Sequence, residues 1–319
     1  ATTAVAGAFV RTPTSFQSDV SSEAGAKYPP AAGRYVLFVS YACPWAHRTL
    51  IVRALKGLED AVEVCVMEAV MDTDMHKPLE YRGWPFHPER PCPVDPSFTH
   101  IDQLYELASP GFRASYEGKK PYYAVPVLFD KETNTIVNNE STRIIQAFNS
   151  EFNAFARNPE LELAPKDLGD AMAEVDTFIY PNINDGVYRT GFARTQDAFD
   201  AAYAALFENL ERAESILSTK RYLTGDRLTL SDIRLFVTLV RFDLVYAVHF
   251  KCNRFLIADR PVLQGFCREI FQLPGVAATT NFADIANHYY RSHPWINPFK
   301  VVPPGPVLTF DAPHGRQTL

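Results

Sequence analysis

A β-branched and aromatic segment leads directly into a Cys-Pro-Trp sequence in the run Arg34-Tyr-Val-Leu-Phe-Val-Ser-Tyr-Ala-Cys-Pro-Trp-Ala-His-Arg48. Residues 34–40 have the composition of a buried strand. Pro44 suits the first position of a helix, where its missing N–H loses no partner, and apolar residues then recur at helical spacing. Residues 61–68 alternate and predict a second strand. We therefore expect a strand–helix–strand unit with Cys43 at the first turn of the helix.

More strands are predicted after a long irregular segment. Residues 71–120 are rich in Pro, His and charge, and the five prolines between positions 85 and 96 argue against a packed helix through its middle. Residues 122–137 predict a hairpin, and residues 142–148 predict a helix. The order β-α-β, loop, β-β-α is that of a thioredoxin-type fold.

The rest of the chain is predicted to be helical, so the fold class is α/β plus all-α. Apolar stripes indicate five helices, at residues 168–179, 195–217, 230–249, 261–271 and 282–290. The expected domains are an extended arm (1–33), a thioredoxin-like domain (34–150), an all-helical substrate domain (168–290) and a proline-rich tail on the surface (291–319).

Composition excludes several classes of function. The 319 residues are 47% hydrophobic, which is enough for a sizeable core. A net charge of −6 leaves no basic excess for a nucleic-acid partner, and no apolar run is long enough to span a membrane. Five cysteines form an odd, sparse set rather than a disulfide framework. They indicate a reducing compartment, and we expect a cytoplasmic location.

Cys43 is the predicted nucleophile. Free backbone N–H groups and the dipole at a helix start favour the thiolate form. Position 46 is an alanine, so this turn has a single thiol and cannot close an internal disulfide. A second thiol has to come from outside, and the small cellular thiol is glutathione. The alternative, a buried small apolar cysteine, is disfavoured by the flanking Pro44-Trp45.

Two dipeptides predict where glutathione would bind. A proline inside a strand-like run, as at Val125-Pro126, is out of place unless it is cis or at an edge. We expect the Val125–Pro126 bond to be cis, so that Val125 can pair with an extended tripeptide as an added strand. Glu140-Ser141 opens a helix, where Ser141 would bind a carboxylate and Glu140 an ammonium group, as on a γ-glutamyl end. The alternative is an ordinary N-cap at Ser141.

These residues together resemble a cysteine-type glutathione transferase. The shared motifs are Cys43-Pro-Trp-Ala-His-Arg48, Val125-Pro-Val-Leu128, Asn139-Glu-Ser141 and Thr224-Gly-Asp-Arg-Leu-Thr-Leu-Ser-Asp232. A more specific set resembles the Xi class, the glutathionyl-hydroquinone reductases: Tyr41 to Arg48, Asn184-Asp-Gly-Val-Tyr-Arg189, Arg241-Phe-Asp-Leu-Val-Tyr246 and His249-Phe-Lys-Cys-Asn253. The resemblance covers about residues 30 to 300. It implies a C-terminal helical glutathione-transferase domain and a homodimer.

The resemblance also implies a reaction, reductive deglutathionylation. The Cys43 thiolate would attack the glutathione sulfur of a glutathionyl-hydroquinone and release the hydroquinone. A second glutathione would then attack the mixed disulfide on Cys43 and leave as oxidised glutathione. Because carbon is a poor leaving group, the aromatic ring needs acid–base help at its hydroxyls, which phenols can give.

Further site residues are implied by the same resemblance. Tyr188 and Tyr246 match family tyrosines around the hydroquinone, and Tyr290 is assigned with them to catalysis, although the adjacent Tyr289 matches equally well. Their pocket is expected at the boundary between the two domains. The remaining assignments concern glutathione: Trp84 would contact it, and Lys120 or Lys119 stands where the family has an arginine for the glycyl carboxylate.

Other interpretations remain open at this point. An omega-type enzyme would use Cys43 on dehydroascorbate or protein mixed disulfides, whereas a non-catalytic interaction module would keep only the fold. The long 71–120 segment and the tyrosines argue against the first, and the intact Cys43 and Glu140-Ser141 against the second. His288 and His293 have no neighbouring ligand pattern, so no metal is expected. Thr229 to Asp232 predicts a capping box.

Overall fold

A mixed sheet forms the first half of the protein. The computed structural model describes residues 6–73 and 80–319, so parts of the expected arm (1–5) and of the expected long segment (74–79) lie outside the described residues. Within these ranges the strands are β1 (Tyr35–Val39), β2 (Glu63–Val66), β3 (Val127–Asp130) and β4 (Thr135–Asn138), in the order β2-β1-β3-β4. β1 is parallel to β2 and antiparallel to β3, and β4 is antiparallel to β3. The predicted thioredoxin-type order is confirmed.

Three helices accompany these strands: α1 (Pro44–Lys56), α2 (Ile101–Ala108) and α3 (Ser141–Ser150). Gly57 forms the C-cap of α1. Its φ of +67° lies in the left-handed region, which glycine adopts with little strain. A Cβ at this glycine would lie 2.7 Å from the Cβ of Arg157. α2 was missed in the sequence because it lies within the 71–120 segment, between the proline cluster that ends at Pro96 and the later Pro110, and its apolar stripe spans only two turns.

The helices of the second half are α4 (Gly169–Phe178), α5 (Gly186–Gly191), α6 (Gln196–Leu217), α7 (Leu230–Arg241), α8 (Ala247–His249), α9 (Pro261–Phe271) and α10 (Phe282–Ser292). Two π-helical segments interrupt the series, at Ile179–Asn184 and Phe242–Tyr246. The single helix predicted over 230–249 is therefore α7, a π-helical segment and α8. The spacing of apolar residues does not show where a helix changes from α-helical turns to the wider turns of a π-helix. Among the described residues, no helix is both long and apolar enough to cross a bilayer.

The chain divides into two compact units. The sheet unit comprises residues 12–161 and 278–302. The helical unit comprises residues 6–11, 162–277 and 303–319. The expected ranges differ, since α10 was assigned to the helical domain over 168–290, and the arm and tail are each divided between the units. The reason is physical: an apolar stripe shows that a helix packs, but not against which unit.

Specific hydrogen bonds connect α10 to the irregular chain that follows β2 in the same unit. The backbone N–H of Met71 donates to the Ser292 hydroxyl at 3.0 Å, and the Thr73 hydroxyl donates to the Ser292 carbonyl at 3.0 Å. The His288 ring lies 3.0 Å, through Nδ1, from the Ala69 carbonyl oxygen. Since a carbonyl only accepts, Nδ1 carries the proton. The irregular chain after β2 therefore determines where α10 lies.

The predicted capping box at the start of α7 is confirmed. The backbone N–H and the hydroxyl of Thr229 both donate to Asp232 at 2.8 Å. The second carboxylate oxygen of Asp232 accepts from the Leu223 N–H at 2.8 Å. The motif thus also fastens the loop that precedes the helix, and its role is structural.

The C-terminal tail was predicted to run over the surface, but one of its residues is buried in the core. Arg316 is 3% exposed. Its guanidinium donates to the carbonyls of Leu217, Lys220 and Arg221 at 2.8 to 3.1 Å and to Glu269 at 3.3 Å. Leu217 is the last residue of α6. A cation from the tail therefore satisfies carbonyls at a helix C-terminus, where the partial charge is negative.

Removing this cation should destabilise the protein. We expect Arg316→Ala to lower the free energy of unfolding by roughly 2–4 kcal/mol, because buried carbonyls and the Glu269 carboxylate lose their donor. Arg227→Ala is the control, since Arg227 pairs with Asp167 at the surface and such pairs contribute about 0–1 kcal/mol. Denaturant titration of both variants measures the difference, and equal losses would contradict the anchoring role.

Candidate active site

Cys43 occupies the N-cap position of α1, and its side chain is 7% exposed. Its Sγ lies 3.4 Å from the carbonyl oxygen of Val125, to which the thiol donates. The backbone N–H of His47 donates to the Cys43 carbonyl at 2.9 Å and closes the first turn. The Val125–Pro126 peptide bond is cis, as predicted. The structure thus brings together two predicted site residues that are 82 positions apart in the chain.

The other four cysteines are buried and free. Burial raises the pKa of the Cys65 thiol to about 12 and also raises the pKa of Cys92, Cys252 and Cys267. A thiol held in its neutral form is a poor nucleophile. These four cysteines are therefore core residues, and the candidate nucleophile is Cys43.

Glu140 and Ser141 lie at the start of α3, but in a different arrangement from the ordinary N-cap at Ser141. Glu140 is the N-cap, and its carboxylate accepts from the Thr142 N–H at 3.2 Å and from the Thr14 hydroxyl at 3.3 Å. Glu140 also lines an open cavity of about 670 Å³ along one side of α3. Ser141 is buried, and its hydroxyl accepts from Arg48 at 3.5 Å. The first turn of α1 therefore contacts the first turn of α3.

Arg48 and His47 are site-adjacent residues that the sequence analysis did not assign. Both are fully buried. The Arg48 guanidinium lies 4.7 Å from the centroid of the Trp45 ring, and Nε2 of His47 lies 2.9 Å from the Thr279 hydroxyl. A cationic side chain on an otherwise apolar helix face was the available signal, because arginine is almost never fully buried without partners.

Trp84 is 5% exposed and stacks on His288, with ring centroids 4.8 Å apart and an interplanar angle of 23°. Lys120 lies elsewhere on the segment that precedes β3, with its ammonium 3.9 Å from the centroid of the Tyr81 ring. The rings of His288 and His293 lie 5.4 Å apart at 73°. Among the described residues, no group of three His, Cys, Asp or Glu side chains is arranged to hold a metal.

Tyr188 and Tyr246 are brought together inside the helical unit, with ring centroids 6.1 Å apart in an edge-to-face arrangement. Both rings contact Phe250, at 5.4 and 5.6 Å. Gly191 permits this packing, because a Cβ there would lie 2.2 Å from the Phe250 ring. Tyr246 ends one π-helical segment and Tyr188 lies four residues beyond the other. π-Helical turns are rare and are frequent at functional sites.

Tyr289 and Tyr290 lie on α10, in the sheet unit, whereas the sequence analysis placed them in the helical domain. Tyr289 is fully buried and its ring contacts those of His288 and His293 at 5.2 and 5.7 Å. Tyr290 is 4% exposed, and burial raises its pKa to about 12. Its phenol therefore keeps its proton at physiological pH.

His249, beside this aromatic cluster, should make stability depend on pH. Burial, followed by the charge of Lys251, lowers its pKa from 6.5 to about 4. The unfolded chain takes up this proton first, so stability falls as the pH drops from 6.5 towards 4, by at most about 3 kcal/mol. We expect His249→Gln to remove this part of the pH dependence. Unfolding free energies at pH 7.5 and 4.5 measure it, and identical pH dependence in both proteins would contradict the assignment.

Comparison with known proteins adds the family context. The model of the glutathione S-transferase N-terminal domain matches residues 42–151, and that of the C-terminal domain matches residues 196–269. The chain is 43% identical to the glutathionyl-hydroquinone reductase YqjG of Escherichia coli, over 99% of this chain and 94% of that protein. The glutathione-bound structure of YqjG superposes with a TM-score of 0.86 at 42% identity, over 95% of this chain and 96% of that chain.

Two further relatives extend the comparison. An Xi-class glutathione transferase structure from Natrialba magadii matches with a TM-score of 0.88 at 42% identity, over 96% of this chain and 90% of that chain. The glutathione S-transferase omega-like 2 of Schizosaccharomyces pombe is 39% identical over 94% of both chains. The similarity therefore spans both the sheet and the helical parts of the sequence.

Proposed function

Because the chain belongs to the Xi class of the glutathione S-transferase family, we propose that it reduces glutathionyl-hydroquinones to hydroquinones with glutathione as co-substrate. The observation that carries this proposal is the position of Cys43, at the N-cap of α1 with its Sγ 3.4 Å from the Val125 carbonyl. The name of the E. coli relative and the glutathione in its structure support it.

The proposed chemistry has two steps, each a nucleophilic attack of a thiolate on sulfur. The Cys43 thiolate attacks the sulfur of the conjugate, and the bond between sulfur and the ring carbon breaks. The ring carbon keeps the electron pair and takes up a proton, while Cys43 and glutathione become a mixed disulfide. The thiolate of a second glutathione then attacks this disulfide, which releases oxidised glutathione and restores the Cys43 thiolate.

The sheet unit supplies the proposed glutathione contacts. The backbone at Val125 pairs with the tripeptide as an added strand, and Trp84 packs against it. Glu140 accepts from the γ-glutamyl ammonium, and Ser141 at the start of α3 binds the carboxylate. Lys120 is the proposed partner of the glycyl carboxylate, as a point charge in place of an arginine fork.

Tyrosines supply the proposed acid–base chemistry on the hydroquinone. Tyr188 and Tyr246 donate to its oxygens, and Tyr290, with Tyr289 beside it, completes the set of phenols. A phenol combines a hydrogen-bond donor with an aromatic face that packs on the substrate ring. We also propose a homodimer in a reducing cytoplasm, supported by the family and by five free cysteines. Light scattering of the purified protein tests the dimer.

Cys43 is the proposed nucleophile, and its replacement tests the mechanism. Cys43→Ser should abolish reduction of glutathionyl-menadione, because an alcohol neither ionises at neutral pH nor forms a mixed disulfide. Mass spectrometry of the wild type during turnover should show one added glutathione, located on Cys43. Cys65→Ser is the control and should remain active. Full activity of Cys43→Ser would refute the mechanism.

A separate prediction concerns Tyr188 and Tyr246. Tyr→Phe at either position keeps the ring and removes one hydroxyl, which should cost about 1–3 kcal/mol in the transition state, or roughly five- to 150-fold in rate. The loss should appear with glutathionyl-menadione. It should be small with the mixed disulfide of glutathione and 2-mercaptoethanol, since a thiolate leaving group needs no phenolic donor. Equal losses on the two substrates would contradict the acid–base role.

A second candidate function is an omega-type thioltransferase or dehydroascorbate reductase. The name of the S. pombe relative favours it, and it would use the same Cys43. Dehydroascorbate and a glutathionylated protein, assayed beside glutathionyl-menadione, separate the two. A higher kcat/KM on either of the first two substrates would favour the omega-type activity.

A further inference from the structure

The N-terminal segment 6–11 is attached to the part of the helical unit that carries Tyr188. The Thr195 hydroxyl donates to the Ala6 carbonyl at 2.8 Å, and the backbone N–H of Arg194 donates to the Gly7 carbonyl at 3.0 Å. Gly7 has a φ of +79°, and a Cβ there would lie 2.7 Å from the Thr195 side chain. A side chain at this position would therefore push the segment away from the start of α6.

Aromatic and ionic contacts continue this attachment towards Tyr188. The Phe9 ring meets Phe192 edge-to-face with centroids 5.2 Å apart, and Phe192 in turn contacts Tyr188 at 5.8 Å. Arg11 donates through Nε to Asp185 at 2.6 Å, and its guanidinium carbon lies 4.7 Å from the centroid of the Tyr188 ring. Arg11 therefore contacts the tyrosine ring directly.

Asp185 links this guanidinium to the backbone of the same tyrosine. It precedes α5, and its carbonyl accepts from the Tyr188 N–H at 3.0 Å and the Arg189 N–H at 2.9 Å. Arg11 thus constrains Tyr188 twice, through the residue that starts its helix and through attraction between the cation and the aromatic ring. The contacts of the Tyr188 ring with Phe192, Tyr246 and Phe250 are aromatic, and such contacts limit sliding and rotation of a ring less than a directed ion pair does.

We propose that Arg11 is a positioning residue for Tyr188, so that segment 6–11 forms part of the hydroquinone side of the active site. This inference rests on the proposed function, because it assigns Arg11 to the orientation of a phenol that donates to the substrate. Proton transfer depends steeply on alignment, so loss of Arg11 should lower kcat more than it raises KM. Nothing in the sequence of the arm indicates this role, because Arg11 and Asp185 are 174 residues apart.

The test is a double-mutant cycle on the full chain. The variants are Arg11→Ala, Tyr188→Phe and their combination, assayed with glutathionyl-menadione and with the mixed disulfide of glutathione and 2-mercaptoethanol. Arg212→Ala is the matched control, because Arg212 also pairs with a carboxylate, Glu174 at 3.7 Å, and lies 4.1 Å from an aromatic centroid, that of Phe178. Thermal unfolding of each variant verifies folding.

Arg11→Ala should lower kcat on the conjugate by about five- to twentyfold, with KM and the rate on the mixed disulfide changed less than about twofold. In the Tyr188→Phe background the same change should cost less than about twofold, because the hydroxyl it positions is gone. Arg11→Lys should fall between the wild type and Arg11→Ala, since lysine keeps the charge but not the planar fork. Arg212→Ala should match the wild type on both substrates.

Three outcomes would overturn the proposal. These are wild-type kcat in Arg11→Ala, equal losses on the two substrates, and a full further loss in the Tyr188→Phe background, which would show that Arg11 acts independently of the phenol. If Arg11→Ala fails to fold, Arg11→Lys carries the same comparisons. A wild-type protein that does not reduce glutathionyl-menadione would reject the proposed function itself and this inference with it, a result distinct from the other three.

Discussion

A contact between one sulfur atom and one backbone carbonyl sets the geometry of the proposed site in the sheet unit. Cys43 Sγ lies at the N-cap of α1 and 3.4 Å from the Val125 carbonyl, just before β3. This distance requires that the turn after β1 and the chain entering β3 meet, as neighbouring strands allow. The helix N-terminus offers the proposed nucleophile fixed backbone dipoles, which need no reorganisation during the reaction.

The surroundings of α1 keep this turn in place. The two residues that follow Ala46 are fully buried, with Arg48 donating to Ser141 at the start of α3 and His47 beside Thr279. Burial of an arginine is expensive unless its donors find partners. The first turn of α1 is therefore constrained by polar contacts from two directions, and the first turn of α3, which carries the proposed γ-glutamyl contacts, is held with it.

The helical unit is organised around aromatic rings. Tyr188 and Tyr246 pack on Phe250; Tyr246 ends one π-helical segment, and Tyr188 lies four residues after the other. An aromatic cluster provides close packing but few directed forces. Ion pairs such as that between Arg11 and Asp185 add directed contacts to this cluster.

The sequence alone determined the position of Cys43 at a helix start, the cis Val125–Pro126 bond, the capping box of α7 and the order of the strands along the chain, because each rests on a local pattern. The patterns are a Cys-Pro after a strand, a proline inside a strand-like run, a capping motif and the spacing of apolar residues. Only the tertiary structure decided that α10 packs in the sheet unit, that Arg316 enters the core, and that Arg11 meets Tyr188. These are contacts between distant parts of the chain, and no local propensity specifies the partner of a buried side chain.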